Sequence, residues 1–363
     1  MRKCPYCDFN SHTAGSEIPE QAYIKALIAD LQQDKKWAQG RKLCSIFFGG
    51  GTPSLFSAAG IGQILKAAER IIGFEPDIEI TLEANPGTAE QDKFSGFRSA
   101  GVNRLSIGIQ SFNDQHLLRL GRIHDGAQAL SAIETARRAG FSNFNLDLMH
   151  GLSGQTVGQA RRDLELASDS GALHISWYQL TIEPNTEFYS RPPKLPEEDA
   201  LVDIQQAGME LLDNGGYKQY EVSAFAQPGR RSQHNMNYWQ FGDYLGIGAG
   251  AHGKVTLATE NCILRTNKTR QPDNYLARDP LTLAQQKPIA RDALAVEFMM
   301  NGLRLRDGLN AGFFTSRTGL PASSIAKQVA KLQSQGLMEV DSRRYQTTAL
   351  GYQFLNSTLQ GFS

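Results

Sequence analysis

The sequence predicts an α/β fold in which a parallel sheet curls into a partial (β/α) barrel, followed by a smaller winged-helix-like α+β region. Two observations favour this fold class. Apolar, β-branched segments alternate with helical patterns through the first 225 residues, and polar or Gly-rich segments recur directly after the strand segments. Because the carboxyl ends of barrel strands carry the chemistry, functional residues are expected just after each strand.

Six strands and seven helices are predicted in this first part of the chain. The strands are Cys44–Phe48, Ile78–Leu82, Arg104–Ile109, Phe144–Met149, Ile175–Ile182 and Tyr220–Phe225. The helices are Pro19–Ala38, Ser57–Ile72, Thr88–Ala100, Asn113–Leu120, Asp125–Ala139, Thr156–Ser170 and Glu197–Asp213. The fourth helix has a typical N-cap residue in Asn113, and Gly121 lies just past its end. Six of these helices lie between successive strands, which indicates helical crossovers.

The last part of the chain has a different pattern, which is typical of a winged helix. Three helical segments are followed by two short strands around a polar turn, at Asp292–Leu303, Ala311–Thr318, Ala322–Gln335, Gly336–Val340 and Tyr345–Thr348. The residues before it are rich in Asn, Gly, Arg and aromatic side chains and are expected to be irregular. The predicted domains are therefore the barrel at 1–226, an irregular connecting region at 227–288, and the winged-helix-like domain at 289–363.

Composition excludes several classes of protein. The 37 basic and 37 acidic side chains cancel, so no overall field attracts nucleic acid or an anionic membrane. The basic residues of the winged-helix pattern are interspersed with acidic ones, which favours a packing or partner-docking role over DNA binding. Four cysteines in 363 residues do not form a disulfide scaffold. No apolar run reaches the roughly 18–20 residues of a membrane span, and no signal peptide is apparent, so we expect a cytoplasmic protein.

Cys4 and Cys7 occupy the last two positions of a CxxxCxxC spacing. The first cysteine of that spacing would fall one residue before Met1. Taken alone, the pair also fits half of a zinc site or a thiol redox pair. A loop of this kind should follow a strand, and none precedes it, so we expect the first barrel strand to be missing from this chain.

Polar and glycine residues follow several predicted strands, as the barrel requires. Three consecutive glycines in FGGGTPSL exceed what a tight turn needs and allow close approach of backbone to a ligand. Glu83, Gln110 and Asp147 each lie at or just past a strand end, and Arg122 follows a helix and can bind a carboxylate through its planar fork. Singly, these are caps or a surface arginine; together they indicate a ribose and amino-acid site.

Taken together, these motifs resemble the radical S-adenosylmethionine family. The segments that carry the resemblance are CPYCDFNSH, FFGGGTPSLF, EANPGT, GVNRLSIGIQSF, LGRIH, NLDLMHGL, SWYQLTIEPNT and HNMNYW. Within the family they are similar to HemW-type heme chaperones, which are relatives of oxygen-independent coproporphyrinogen III dehydrogenase. The resemblance runs from Arg2 to the C-terminus, and it implies the same partial barrel followed by a helical, winged-helix-like region.

The resemblance implies a [4Fe–4S] cluster held by three cysteines, with S-adenosylmethionine chelated by the fourth iron. Cys4 and Cys7 would be cluster ligands, and Tyr6 would lie near the adenine. Glu83 would bind the ribose. The methionyl amino group would be received by Gly50, Gly51 and Thr52, and the pocket would be completed by Gln110, Arg122 and Asp147, with Thr181 as a weaker candidate.

HNMNYW resembles the HNxxYW signature of the heme-binding branch. A neutral imidazole at His234 suits heme iron, and Tyr238 and Trp239 offer flat apolar surface for a macrocycle. The alternative for His234 is a structural histidine, and His252 is a weaker second ligand candidate. The glycine-rich segment after the motif lacks the spacing of a phosphate-binding loop.

The absent first cysteine departs from the family pattern and has two explanations. Either the start was assigned at an internal methionine, which we favour, or the chain has lost its cluster.

The sequence leaves open whether the protein is an enzyme. We predict a heme chaperone that receives electrons from a reductant and delivers heme to an apoprotein, such as a membrane-associated respiratory enzyme, with a homodimer as a further expectation. The dehydrogenase relatives carry a further cysteine two residues after the last cluster ligand, where this chain has Phe9. Decarboxylation of coproporphyrinogen III propionates is therefore the alternative function. A cluster-less heme-binding protein is the third interpretation.

Overall fold

A seven-stranded sheet organises the first part of the chain in the computed structural model, which describes residues 3–10, 19–87, 91–278 and 285–362. The strands are β1 (Leu43–Phe48), β2 (Phe74–Ala84), β3 (Arg104–Gln110), β4 (Phe144–His150), β5 (His174–Gln179), β6 (Lys218–Glu221) and β7 (Ala224–Ala226). They lie in the order β1-β2-β3-β4-β5-β7-β6, and β1 to β5 pair in parallel. The sheet curls into a half-barrel, which confirms the predicted fold class.

Helices connect the strands in the expected alternation. They are α1 (Glu20–Ala38), α2 (Ala58–Ile71), α3 (Phe94–Ala100), α4 (Asp114–Arg119), α5 (Gly126–Arg138), α6 (Val157–Asp169), α7 (Glu187–Ser190) and α8 (Glu198–Asn214). Asn113 caps α4 by accepting the backbone N–H groups of Gln115 and His116, and Gly121 adopts a left-handed φ of +69° beyond its end, both as predicted. Residues 88–90 of the predicted third helix lie outside the described residues.

The two faces of the sheet differ in polarity because successive side chains of a strand point to opposite faces. One face packs against the helices and forms the core with Leu82, Ile107, Leu146 and Ile175, which are fully buried. The other face carries polar side chains at the alternate positions, among them Glu79, Thr81, Glu83, Arg104, Ser106, Asn145, Asp147, His174 and Ser176. The concave face of the half-barrel is therefore polar.

Two strand predictions are wrong at the far edge of the sheet. β5 ends at Gln179 rather than Ile182, because its pairing with β4 ends at the His150–Gln179 pair, which the Leu180 N–H closes by donating to the His150 carbonyl. The predicted strand Tyr220–Phe225 is two strands, β6 and β7. β7 pairs with β5 in the antiparallel sense, so the sheet is not parallel throughout.

The chain divides into two compact units by contact. The first comprises residues 1–24, 43–219 and 223–232, and the second comprises 25–42, 220–222 and 233–363. In the second unit, the region predicted to be irregular contains regular elements, so that prediction is wrong. They are α9 (Gln233–Trp239), β8 (His252–Leu257), β9 (Cys262–Asn267), α10 (Pro272–Ala277) and β10 (Gln285–Pro288). The three strands form an antiparallel sheet in the order β10-β9-β8.

The rest of the second unit contains the predicted three helices. Its elements are α11 (Leu294–Gly302), β11 (Leu309–Asn310), α12 (Gly312–Thr318), α13 (Ala326–Ser334), β12 (Arg344–Tyr345), α14 (Ala349–Gln353) and α15 (Leu355–Gln360). The predicted hairpin is reduced to a single bridge between Met338 and Thr347, while β12 pairs with β11. The last two helices were not predicted. Among the described residues, no helix is both long and apolar enough to cross a membrane.

Candidate functional site

A cavity of about 460 Å³ opens at the carboxyl ends of the parallel strands in the first unit. It is lined by the cysteine turn, the glycine loop and strand-end side chains. Every cluster or S-adenosylmethionine candidate from the sequence lines it: Cys4, Cys7, Tyr6, Gly50, Gly51, Thr52, Glu83, Gln110, Arg122, Asp147 and Thr181. The structure thus brings together residues that lie up to 177 positions apart.

The glycine loop follows β1 and approaches the β2 carboxylate. Gly50 has φ of +114°, and its N–H donates to Glu83 Oε2 over 3.1 Å. A Cβ atom on Gly49 would lie 2.7 Å from the Phe47 ring and 3.2 Å from Glu83 Oε1. The Thr52 hydroxyl donates to the carbonyl of Gly51. Glycine is therefore needed at position 49 for close approach and at position 50 for a left-handed backbone. An ordinary tight turn would not require both.

The cysteine turn is closed by a hydrogen bond from the Cys7 N–H to the Cys4 carbonyl over 3.1 Å. Phe188 of α7 donates its N–H to the Pro5 carbonyl over 3.0 Å. The Tyr6 ring lies 6.4 Å from the Phe188 ring, in a small apolar cluster that includes Met149 and Leu180. Both thiols are partly buried, and neither forms a disulfide with another described residue. The α7 segment and this cluster hold the turn at the cavity.

Arg122 is a cavity residue rather than a surface arginine. Its Nη2 donates to Asn85 Oδ1 and to the Gly108 carbonyl, each over 2.8 Å. Its Nη1 lies 3.8 Å from the Cys4 sulfur. Tyr6 also bonds to this guanidinium. The positive charge therefore lies directly beside the cysteine turn, where it stabilises a thiolate or a carboxylate.

Two carboxyl groups lie on the same polar face of the half-barrel. Burial and the nearby charge of Asp147 raise the pKa of Glu83 to about 8, although the Gly50 N–H opposes the shift. Burial also raises the pKa of Asp147, against hydrogen bonds from Asn145 and Ser106. Two acidic groups with disfavoured charge are suited to a ligand that brings hydroxyl or ammonium donors.

Gln110 ends β3 with φ of +69°, which is strained for a residue with a side chain. The Tyr178 hydroxyl donates to Gln110 Oε1 over 2.7 Å, which fixes the amide and leaves its nitrogen as a donor. Thr181 lies at the rim and donates to Glu183 Oε1 over 2.9 Å. Strained backbone conformations cluster at ligand-binding sites.

Sequence reasoning missed several polar residues around the cavity, namely Asn85, Ser106, Asn145, His174 and Tyr178. Their signal was available in the alternation of the strands: Asn145 shares a face with Asp147, and Tyr178 shares one with Ser176. The alternation does not reveal which face of the sheet is concave, because side chains are buried both on the face that packs against the helices and on the face around the cavity.

The heme candidates lie in the second unit. His234 is partly buried near the start of α9, and its ring meets Tyr238 edge-to-face at 4.7 Å. Tyr238 in turn contacts Tyr244 at 4.4 Å. The Arg304 guanidinium lies 4.4 Å above the Trp239 ring, and Trp239 Nε1 is buried without a partner among the described residues. His252 is exposed at the start of β8.

Comparison with known proteins gives a consistent result. Residues 1–167 match the Radical SAM superfamily, and residues 289–354 match the HemN C-terminal domain. The heme chaperone HemW of Haemophilus influenzae is 51% identical, and that of Escherichia coli K12 is 47% identical; both alignments cover 100% of this chain and 95% of the relative. The solved coproporphyrinogen III oxidase HemN of E. coli has a TM-score of 0.81 at 23% identity, covering 99% of this chain and 87% of that one.

The half-barrel and the two matched regions define a radical S-adenosylmethionine protein with a coproporphyrinogen oxidase-like architecture. Within that class the chain belongs to the HemW family. The resemblance that the motifs suggested is thereby confirmed.

Proposed function

We propose that this protein is a heme chaperone, which binds a [4Fe–4S] cluster and S-adenosylmethionine in the half-barrel, binds heme through α9, and delivers heme to an acceptor protein. One observation carries the first part: two thiols, a partly buried guanidinium and two partly buried carboxyl groups line a single cavity. The relatives that are named heme chaperones support the second part.

The cluster would be held by Cys4 and Cys7 together with a third cysteine, four positions before Cys4. The two thiols suit this role because one short turn presents both to the cavity. When bound, the cluster supplies an electron and an open iron position for S-adenosylmethionine. The chain itself supplies the Arg122 guanidinium, whose Nη1 lies 3.8 Å from the Cys4 sulfur and would pair with an anionic group bound there.

S-adenosylmethionine would be bound by complementary donors and acceptors. Tyr6 would lie against the adenine, and Glu83 would accept from the ribose. The backbone of Gly50 and Gly51, with Thr52, would meet the methionyl amino group through carbonyl and hydroxyl acceptors. Gln110, Arg122, Asp147 and Thr181 would complete the pocket. The cavity of about 460 Å³ offers both kinds of group to a zwitterionic nucleoside.

Heme would be ligated by His234 and flanked by Tyr238 and Trp239. The residues fit the group in their chemistry: a partly buried imidazole lies one helical turn from Tyr238, and the unpartnered indole N–H of Trp239 is a hydrogen-bond donor. The neighbouring Arg304 is a cation that suits a propionate, although Glu221 now pairs with it over 3.0 Å.

The cluster proposal is tested by iron and sulfide per chain after anaerobic reconstitution. We expect close to four irons in a chain that carries the third cysteine, and a large loss in Cys7→Ser. Cys44→Ser and Cys262→Ser are matched controls, because neither thiol lines the cavity. Equal iron in all four proteins would contradict the assignment. Iron that the third cysteine does not restore would favour a cluster-less heme binder.

The heme proposal is tested by spectroscopic titration with hemin. We expect His234→Ala to lose most of the axial-ligand signature while His252→Ala retains it. Transfer to an apo-respiratory enzyme, in a membrane fraction, then tests delivery. Turnover of coproporphyrinogen III by the reconstituted protein would support the decarboxylating enzyme instead.

We further propose that the protein works in the cytoplasm and takes electrons from a reductant. We also propose that it forms a homodimer, and size-exclusion chromatography with light scattering tests this oligomeric state.

A further inference from the structure

We propose that Asn145 and His174 are positioning residues for the cavity carboxylate Asp147: His174 fixes the amide of Asn145, and that amide fixes the carboxylate toward the nucleoside ligand. This inference rests on the proposed S-adenosylmethionine site. It adds to that site a second layer of residues that lie beneath the cavity and do not reach it.

The contacts form a continuous chain. Asn145 Nδ2 donates to Asp147 Oδ1 and to the Ser106 hydroxyl, each over 2.8 Å. Asn145 Oδ1 accepts from the Ser176 hydroxyl over 3.0 Å and pairs with His174 Nδ1 over 2.7 Å. Ser106 donates to Asp147 Oδ2 over 3.1 Å. All four hydrogen-bonding positions of the Asn145 amide are thus occupied.

The direction of this chain follows from the acceptor at its end. The Ser106 hydroxyl donates to Asp147, so it can only accept from Asn145; the amide nitrogen therefore faces Ser106 and Asp147, and the amide oxygen faces His174. His174 Nδ1 therefore carries the proton. Full burial, together with the nearby Arg104 charge, lowers the pKa of His174 well below its ordinary value and keeps the ring neutral. A neutral Nδ1–H tautomer locks the Asn145 amide in one orientation.

The strand register explains why these residues meet. Asn145 and Asp147 lie two positions apart on β4 and share its concave face, and in the β4–β5 pair Asn145 lies opposite His174 while Asp147 lies opposite Ser176. Among the described residues, Asp147 lines the cavity, whereas Asn145 and His174 do not. They can therefore act on a ligand only through the cavity residues that Asn145 contacts, Asp147 and Ser106.

The consequence is a defined acceptor for the ligand. Each oxygen of Asp147 already holds one donor from below, so its remaining lone pairs are available to the cavity. Without the Asn145 donor, the buried carboxylate loses a bond that favours its charged form. The Asp147 carboxylate can then rotate, and its affinity for a proton rises. The titratable and charged groups that face it are Glu83 of β2, Arg104 of β3, and His174 and Tyr178 of β5.

The test is isothermal titration of the reconstituted protein with S-adenosylhomocysteine between pH 6 and pH 8.5. We expect Asn145→Leu to raise Kd at least about ten-fold, with the loss growing as the pH falls because Asp147 then binds a proton. His174→Leu should act in the same direction, and the double variant should be no worse than Asn145→Leu, since both residues act along one chain. His174→Asn, which restores a donor, should recover part of the affinity.

The matched control is Asn103→Leu. The Asn103 amide accepts from the Ile80 N–H over 2.8 Å and donates to the Ile78 carbonyl over 2.7 Å, so this variant loses two side-chain hydrogen bonds within the same sheet without touching Asp147. It should lower Tm and leave Kd and its pH profile unchanged. An unchanged Kd in Asn145→Leu, or an equal rise in Asn103→Leu, would overturn the positioning role alone. A wild-type protein that fails to bind S-adenosylhomocysteine would overturn the proposed function as well.

Discussion

Glu83 is the residue at which folding and ligand binding oppose each other most directly. Its carboxyl is buried at the end of β2 beside Asp147, and its pKa is raised to about 8 from an ordinary 4.5. The folded protein therefore holds a proton that the unfolded chain has released. A ligand with hydroxyl or ammonium donors would offset the cost of charging this group, which is why such a carboxyl is retained in a cavity.

This conflict gives a prediction about pH. Because the folded pKa lies above the unfolded one, the contribution of Glu83 is fully present below about pH 4.5 and is lost as the pH rises to about 8. We expect Glu83→Gln to be more stable than the wild type by roughly 2–4 kcal/mol at pH 8.5 and equal to it near pH 4.5. Urea unfolding of the ligand-free protein measures this.

The exposed residue Glu75 of the same strand supplies the control. Glu75→Gln should change stability by less than about 0.5 kcal/mol at both pH values. The same Glu83→Gln protein should bind S-adenosylhomocysteine less tightly at pH 8.5, since the amide is a weaker acceptor than the carboxylate. A Glu83→Gln protein whose stability equals that of the wild type at both pH values would show that folding does not raise the pKa of Glu83.

At the scale of the element, the cysteine turn depends on a glycine in another segment. Gly121 follows α4 with φ of +69°, and a Cβ atom there would lie 2.7 Å from Pro5 Cδ. We expect Gly121→Ala to displace the turn and to reduce iron incorporation several-fold. Iron analysis after reconstitution is the measurement.

Gly140 separates this contact from backbone strain. It also has a left-handed φ, of +85°, at the end of α5, but a Cβ atom there would meet nothing within 4 Å. Gly140→Ala should cost about 1–2 kcal/mol of stability through its left-handed φ, as the same strain should in Gly121→Ala, and leave iron unchanged. If both variants lost iron equally, the strain of the backbone and not the contact with Pro5 would be responsible.

The packing of α8 on β5 gives a second prediction at this scale. A Cβ atom on Gly208 would lie 2.0 Å from the Trp177 ring, which is buried. Gly208→Ala should therefore destabilise the protein by more than about 2 kcal/mol. Gly158, exposed in the first turn of α6, has no neighbour within 4 Å of such an atom. Gly158→Ala should be neutral or stabilising, by up to about 1 kcal/mol. Thermal unfolding of both variants measures these stabilities. A Gly208→Ala protein as stable as the wild type would mean that α8 can move away from Trp177.

At the scale of the whole molecule, the two proposed ligands belong to different compact units. The S-adenosylmethionine candidates all lie in the first unit and the heme candidates in the second. In hydrogen exchange, S-adenosylhomocysteine should slow the amides at the ends of β2, β3 and β4, and hemin should slow those of α9. Protection of the strand ends by hemin would place heme in the cavity and contradict the role of His234.

Local patterns in the sequence determined the elements and the membership of the site. Alternating apolar segments fixed β1 to β4 within a few residues, caps such as Asn113 fixed helix ends, and each strand-end candidate lines the cavity. Such features depend on neighbours three or four positions apart, or on the two faces of one strand, so they can be read without tertiary contacts.

Only the tertiary structure decided what depends on distant partners. The antiparallel return of β7 on β5 depends on which strand edge is open, and the order in the region 227–288 depends on pairing between β8, β9 and β10. The buried environment of Arg122 and the chain from His174 to Asp147 depend on side chains from separate strands and helices. Burial sets the charge and orientation of these groups, and burial is a property of the folded neighbourhood rather than of the residues themselves.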